Sequence, residues 1–135
     1  MMELIPTDRE LEALKVLWQQ GEATVRGIYQ EINRGGGTLA YTTVLSLLQV
    51  MEQKGLVGHR QRGKAYTYFA KAERDRTFQV LAGGFLDKVF DGAVDEYLVH
   101  ALQSRRLTAE ELERLEKMIA QTKTRSKKGK KGGPP

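Results

Sequence analysis

Thr42, Ser46, Gln49 and Gln53 recur at i, i+4, i+7 and i+11 within the stretch LAYTTVLSLLQVMEQKGLV, and Thr43 lies beside them. At 3.6 residues per turn this spacing puts them on one side of a helix, while Val44, Leu47, Leu48 and Met51 fall on the other and must face a core. Apart from Glu52 the polar side is uncharged. Thr and Ser each cost roughly a few tenths of a kcal/mol relative to the Glu and Lys that usually fill a solvated face. Short hydroxyls and amides are, however, the groups that reach base edges in a major groove. Gln pairs with adenine, Ser and Thr with several partners, and the Thr methyl touches the thymine methyl. Carboxylates in the same row would be repelled by phosphates. The bland alternative is that Thr42 and Thr43 only stabilise the helix start and that Ser46 and Gln49 are indifferent surface residues.

The elements that must position this row are legible on either side of it. TDRE places Thr7 at an N-cap with Glu10 three residues on, a capping box, and Leu11, Leu14, Leu17 and Trp18 form one stripe up to Gly21. Thr24 caps a second, short helix with Val25, Ile28, Tyr29 and Ile32 on one side, stopped by NRGGG. The third helix spans about Ala40 to Lys54, closed by Gly55 in a left-handed conformation. LVGHRQRGKAYTYFA then gives two β-rich runs around a turn containing Gly63. Helix, helix, helix, hairpin is the order of a winged helix-turn-helix. Arg60, Arg62 and Lys64 cluster about the hairpin tip, where a wing meets the DNA backbone, and Arg26 lies on the second helix.

From Glu73 the pattern changes to three amphipathic helices. Phe78, Leu81, Phe85 and Val89 mark one stripe, interrupted by Gly83-Gly84; Val94, Leu98 and Ala101/Leu102 mark a second; Leu112, Leu115 and Ile119 mark a third, opened by a capping box from Thr108 to Glu111. Three short helices that expose Phe78, Phe85, Phe90 and Tyr97 cannot close a core alone, and a second copy of the same arm completes it. The expected class is therefore mainly α with a small β-wing. A winged-helix domain covers 1–72, a three-helix dimerisation arm 73–121, and a disordered basic tail 122–135.

Charge and composition limit the function classes. The chain has 135 residues and a net charge of +5, distributed as +2 over 1–72, −3 over 73–121 and +6 over 122–135. The tail thus supplies the basic character, either as non-specific attraction to phosphates or as a solubilising segment. There is no cysteine, which removes disulfides, thiolate metal sites and thiol nucleophiles. The two histidines, His59 and His100, lie on the hairpin and in the arm with no metal-ligating spacing. Neither an enzyme nor a resident cofactor is expected. No apolar run reaches the roughly 20 residues of a membrane span, so a cytoplasmic protein without membrane insertion is expected.

TDRELEALKVLW, LAYTTVLSLLQVMEQKGLV and GKAYTYFA, followed by FLDKVFDGAVDEYLVHAL, together closely resemble the penicillinase-repressor family of bacterial transcriptional regulators, the BlaI/MecI type, over about residues 4 to 120. The resemblance implies a homodimeric repressor on a palindromic double-stranded DNA operator. Tyr41, Thr42, Thr43 and Ser46 then match recognition-helix positions, and Arg62 and Lys64 match the wing; Gln49 joins them on spacing alone. In the penicillinase branch, induction resembles proteolysis between an Asn and a Phe of the second arm helix, with a membrane metalloprotease sensor as partner. The aligned pair here is His100-Ala101, a departure from that site. The copper-responsive branch carries a C-terminal cysteine cluster that this chain lacks. A winged helix used as a protein-interaction or RNA-binding module is the rival reading, since a fold does not dictate a function.

Overall fold

The computed structural model describes residues 5–130, which divide into two compact units at Phe85/Leu86. The first unit contains α1 (Asp8–Gln20), β1 (Glu22–Thr24), α2 (Val25–Asn33), α3 (Tyr41–Lys54), β2 (Val57–Arg62), β3 (Ala65–Ala70) and most of α4 (Arg74–Phe90). The second contains the end of α4, α5 (Val94–Ser104) and α6 (Ala109–Lys130).

Local chemistry sets the ends of the helices. Thr7 accepts from the Glu10 amide at 3.2 Å while the Glu10 carboxylate accepts from the Thr7 amide at 2.9 Å, so the capping box is complete. Thr24 accepts from the Gly27 amide to cap α2, and Gly55 ends α3 at φ +85°, a left-handed conformation that favours glycine. The three strands form an antiparallel sheet in the order β1-β3-β2. The core lies between this sheet and α1, α2 and α3, where Leu14, Leu17, Ile28, Val44, Leu48, Met51, Leu56 and Val57 are fully buried. This is a winged helix with a three-stranded sheet. β1 was not expected from sequence: three residues of Glu-Ala-Thr have no alternation of their own and are made a strand by pairing with β3.

Three features of the helical arm differ from expectation. The unit boundary lies inside α4 rather than at residue 72, because Phe78 packs edge-on against Trp18 at 5.5 Å. Trp18 also donates its indole N–H to the Ala72 carbonyl, and Thr77 is buried with its hydroxyl on the Glu73 carbonyl. Phe78 is thus engaged within its own unit and not left for a partner. Secondly, α4 continues through Gly83-Gly84: two glycines weaken a helix by about 1 kcal/mol each but do not forbid it. Thirdly, α6 runs to Lys130, into the segment expected to be disordered from 122. Nucleation is already complete by Gln121, TKTRSKK contains no Gly or Pro, and cations suit a helix C-terminus. The remainder of that expected tail, 131–135, lies outside the described residues.

In the second unit Phe90 packs against Tyr97 at 5.5 Å and His100 at 5.6 Å, but α5 has no buried residue. Val94, Leu98, Leu102, Leu112, Leu115, Met118 and Ile119 line an open apolar trough of about 670 Å³. The Thr108–Glu111 capping box starts α6 as the sequence implies.

Glu10 is the one buried carboxylate of α1, only 2% exposed, and Lys54 at the end of α3 donates to both its oxygens at 2.8 and 3.1 Å. Burial pushes the Glu10 carboxyl up, but the bonds from Lys54 and Thr7 outweigh it and the net shift is downward. A depressed carboxyl stabilises the fold above its ordinary value of 4.5 and loses that contribution as pH falls below it. Lys54→Met should therefore cost about 2 kcal/mol in urea unfolding at pH 7, through an unpaired buried carboxylate. The loss should shrink at acid pH; an unchanged midpoint at pH 7 would contradict the pairing.

Candidate nucleic-acid interface

Rotation of α3 is set from behind, since Val44, Leu48 and Met51 are each 0% exposed. With these turned inward, Thr42, Thr43, Ser46 and Gln49 are all exposed along the opposite side, and Leu47 is half-buried at the border. Glu52 is drawn away from the row: it meets Nδ1 of His59 on β2 at 2.7 Å. The N-cap, Ala40, has no side-chain group to cap with, so the first-turn amides of α3 are free to meet a phosphate oxygen.

The start of α3 is positioned by a residue that sequence reading passed over. Asn33 at the end of α2 donates its amide to the Tyr29 carbonyl at 3.1 Å and the Leu39 carbonyl at 3.0 Å, and accepts from the Leu39 amide at 2.9 Å. These bonds staple the loop 34–40 shut. Gly37 fits beneath them because a Cβ there would lie 2.9 Å from Asn33 Oδ1 and 3.1 Å from the Ile32 carbonyl. In the sequence, Asn33 is indistinguishable from an ordinary helix stop before a glycine run. Tyr41, the first residue of α3, stands edge-on to Tyr29 at 5.6 Å, and the Arg26 guanidinium lies 5.2 Å from its ring centre. Arg26 and Tyr41, expected separately at the interface, are thus brought together.

The wing follows from strand alternation. Residues two apart on a strand share a face, and the register places Thr24, Thr67 and Arg60 in one row. Glu22, Thr67, Phe69, Arg60 and Arg62 therefore lie on the outer face, and Ala23, Tyr68 and Val57 on the inner, buried one. Phe69 sits across Gly58, where a Cβ would come within 2.7 Å of its ring, and Arg60 stacks over it at 4.4 Å. The second residue missed in the sequence is Glu22. Its carboxylate accepts from Arg62 at 3.0 and 3.3 Å and from the Thr67 hydroxyl at 2.7 Å, and lies 3.4 Å from Arg60 Nε. Both wing arginines are thus engaged by one carboxylate. Lys64 is exposed at the hairpin turn.

Of the arm residues expected to dimerise, Leu81 and Leu115 are half-buried. Phe85, Val89, Val94, Leu98, Leu102, Leu112 and Ile119 are exposed. His100 and Ala101 lie within α5. Among the described residues no helix is long and apolar enough to cross a membrane.

A winged helix that presents an uncharged polar row on its third helix beside a basic hairpin defines a DNA-binding class of protein. The penicillinase repressor family model matches residues 6–121 of the chain. The penicillinase repressor of Bacillus licheniformis is 24% identical over 128 residues, spanning 93% of this chain and 99% of its own. The methicillin resistance regulatory protein MecI of Staphylococcus aureus (strain N315) is 20% identical over 110 residues, 82% of this chain and 89% of its own. A solved structure of the DNA-binding domain of the repressor BlaI is 25% identical with a TM-score of 0.46, covering 54% of this chain and 90% of that one. The chain belongs to the penicillinase repressor family and is a DNA-binding transcriptional repressor.

The Glu22 carboxyl is held at about 2, below its ordinary 4.5, by the hydrogen bonds from Arg62 and Thr67. The clamp should therefore be complete above about pH 4.5 and open only as pH falls toward 2. A ¹³C carboxyl titration should give Glu22 a midpoint near 2 that returns toward 4.5 in Arg62→Ala. A midpoint near 4.5 in the parent protein would contradict the clamp.

Proposed function

We propose that the repressor acts as a homodimer on a palindromic operator, each copy laying α3 in a major groove and its β2–β3 hairpin on the adjacent backbone. The observation that carries this is the uncharged exposed row Thr42, Thr43, Ser46 and Gln49, backed by the fully buried Val44, Leu48 and Met51. In this reading the row meets base edges, while Tyr41, Arg26, Arg60, Arg62 and Lys64 meet phosphates. An exposed helix row favours DNA over duplex RNA, whose major groove is too deep and narrow for side chains to read.

The dimer reading rests on the second unit. Its trough of Val94, Leu98, Leu102, Leu112, Leu115 and Ile119 is apolar and open, and no residue of α5 is fully buried within one copy. A second copy supplies the missing surface, with Val89 at the end of α4 extending the seam and Leu81 and Phe85 offered separately by the first unit. Two-fold symmetry in the protein then demands two-fold symmetry in the operator. Such a protein works in the cytoplasm, where the chromosome is, and performs no chemistry on its DNA. Induction through the arm would separate the copies. The His100-Ala101 bond lies inside α5, so a protease activated by a membrane metalloprotease sensor would require that helix to unwind first.

Thr43→Ala and Ser46→Ala should each reduce discrimination between a selected palindrome and a scrambled duplex by about 1–3 kcal/mol. Arg62→Ala should weaken both duplexes alike and reduce the salt slope by about one. Fluorescence anisotropy over a salt series separates these effects, and unchanged binding in all three variants would overturn the groove assignment. Leu98→Asp with Ile119→Asp should convert a sedimenting dimer to a monomer; a folded parent protein that sediments as a monomer would contradict the arm's role.

A further inference from the structure

β1 carries one carboxylate, and its placement on the sheet gives it a role that the DNA-contacting residues alone do not supply. Glu22 lies on the same sheet face as both wing arginines and Thr67, one face to which all three strands contribute. It binds Arg62 through two nitrogens at 3.0 and 3.3 Å and stands 3.4 Å from Arg60. The Thr67 hydroxyl, donated from the strand between them at 2.7 Å, fixes the carboxylate independently of either arginine. If an arginine swings out toward DNA, Glu22 therefore stays where it is.

We propose that Glu22 tunes the affinity of the wing for DNA, its carboxylate competing with phosphates for Arg62 so that every duplex must displace it before the wing engages. The proposal rests on the reading of the hairpin as a phosphate-contacting wing. Three cations, Arg60, Arg62 and Lys64, stand at the hairpin, and Glu22 neutralises one of them. Non-specific affinity is governed by how many phosphates the cations neutralise, each releasing about 0.9 of a counterion. A carboxylate fixed among those cations thus acts on every sequence, correct or not. At the operator, base contacts by α3 hold a phosphate against the wing for as long as the complex lasts, and this local concentration displaces an exposed, weak ion pair. On any duplex the same displacement is subtracted from what Arg62 contributes to binding. Side-chain exposure of 59% for Arg62 and 30% for Glu22 places the pair where exchange with a phosphate is sterically open.

The test compares the full chain with Glu22→Gln, which keeps an oxygen to accept from Thr67 while removing the charge. Binding is measured by anisotropy over a salt series. One duplex is a palindrome enriched from a random pool by the parent protein; the other is scrambled. Glu22→Gln should tighten scrambled-duplex binding about 3- to 10-fold, with a salt slope steeper by about one, and should tighten the palindrome at least as much. Glu22→Gln combined with Arg62→Ala should lose that gain. Equal weakening of both duplexes with an unchanged salt slope would overturn the proposal and leave Glu22 as a strand fastener. Arg62→Ala alone distinguishes the two levels: an unchanged slope in that single variant would mean that the wing reading itself is wrong. Glu22→Ala, which also frees Thr67, gives the same charge effect if loss of the amide's packing masks the first variant.

Discussion

Burial of Val44, Leu48 and Met51 against α1, α2 and the sheet is the constraint on which the rest depends. A helix has one rotation about its axis, and three fully buried side chains at i, i+4 and i+7 fix it. Everything the opposite side presents then follows without adjustment. Asn33 closes the loop that feeds α3, Gly37 allows that loop to pass close to α2, and Tyr41 is buttressed by Tyr29 and Arg26. Each of these fixes where the helix begins, and the core fixes which way it faces. A reading surface needs both, because a turn of the helix by one residue would replace hydroxyls with leucines.

Electrostatics on the wing works against a different background. The outer sheet face is exposed, so its ion pairs are worth little to stability and are free to exchange. What matters there is arrangement: Arg60 is stacked on Phe69, Arg62 is drawn to Glu22, and Lys64 stands at the tip. The wing is thus preorganised by a sheet register that also carries its own carboxylate. The Glu10–Lys54 pair is the structural counterpart, half-buried and joining α1 to the end of α3, and there the charges serve the fold.

Periodicity made the six helices and the hairpin legible in the sequence, because core faces and caps are local patterns. Thr7 with Glu10, Thr24, Gly55, and Thr108 with Glu111 all cap as their spacing implies. What escaped was non-local. β1 is a strand only because β3 pairs with it, and Glu22 meets Arg62 across 40 positions of chain. Phe78 shares the spacing of the arm's stripe, and only the proximity of Trp18 assigns it to the first unit. The end of α6 is illegible for the opposite reason: a polar, charged segment lacks an apolar face, but it needs none to prolong a helix already formed.

The two units present different surfaces, one an uncharged polar row on α3 and the other an open apolar trough. On the proposed reading, a two-fold pair of copies requires two half-sites at one spacing on DNA. The most direct measurement is the affinity of the full chain for a selected palindrome and for the same palindrome lengthened by about five base pairs between half-sites, half a helical turn. The insertion should reduce binding to that of a single half-site, and a full-turn insertion should restore part of it. Equal affinity for all three spacings would contradict a two-fold repressor that reads the major groove with α3.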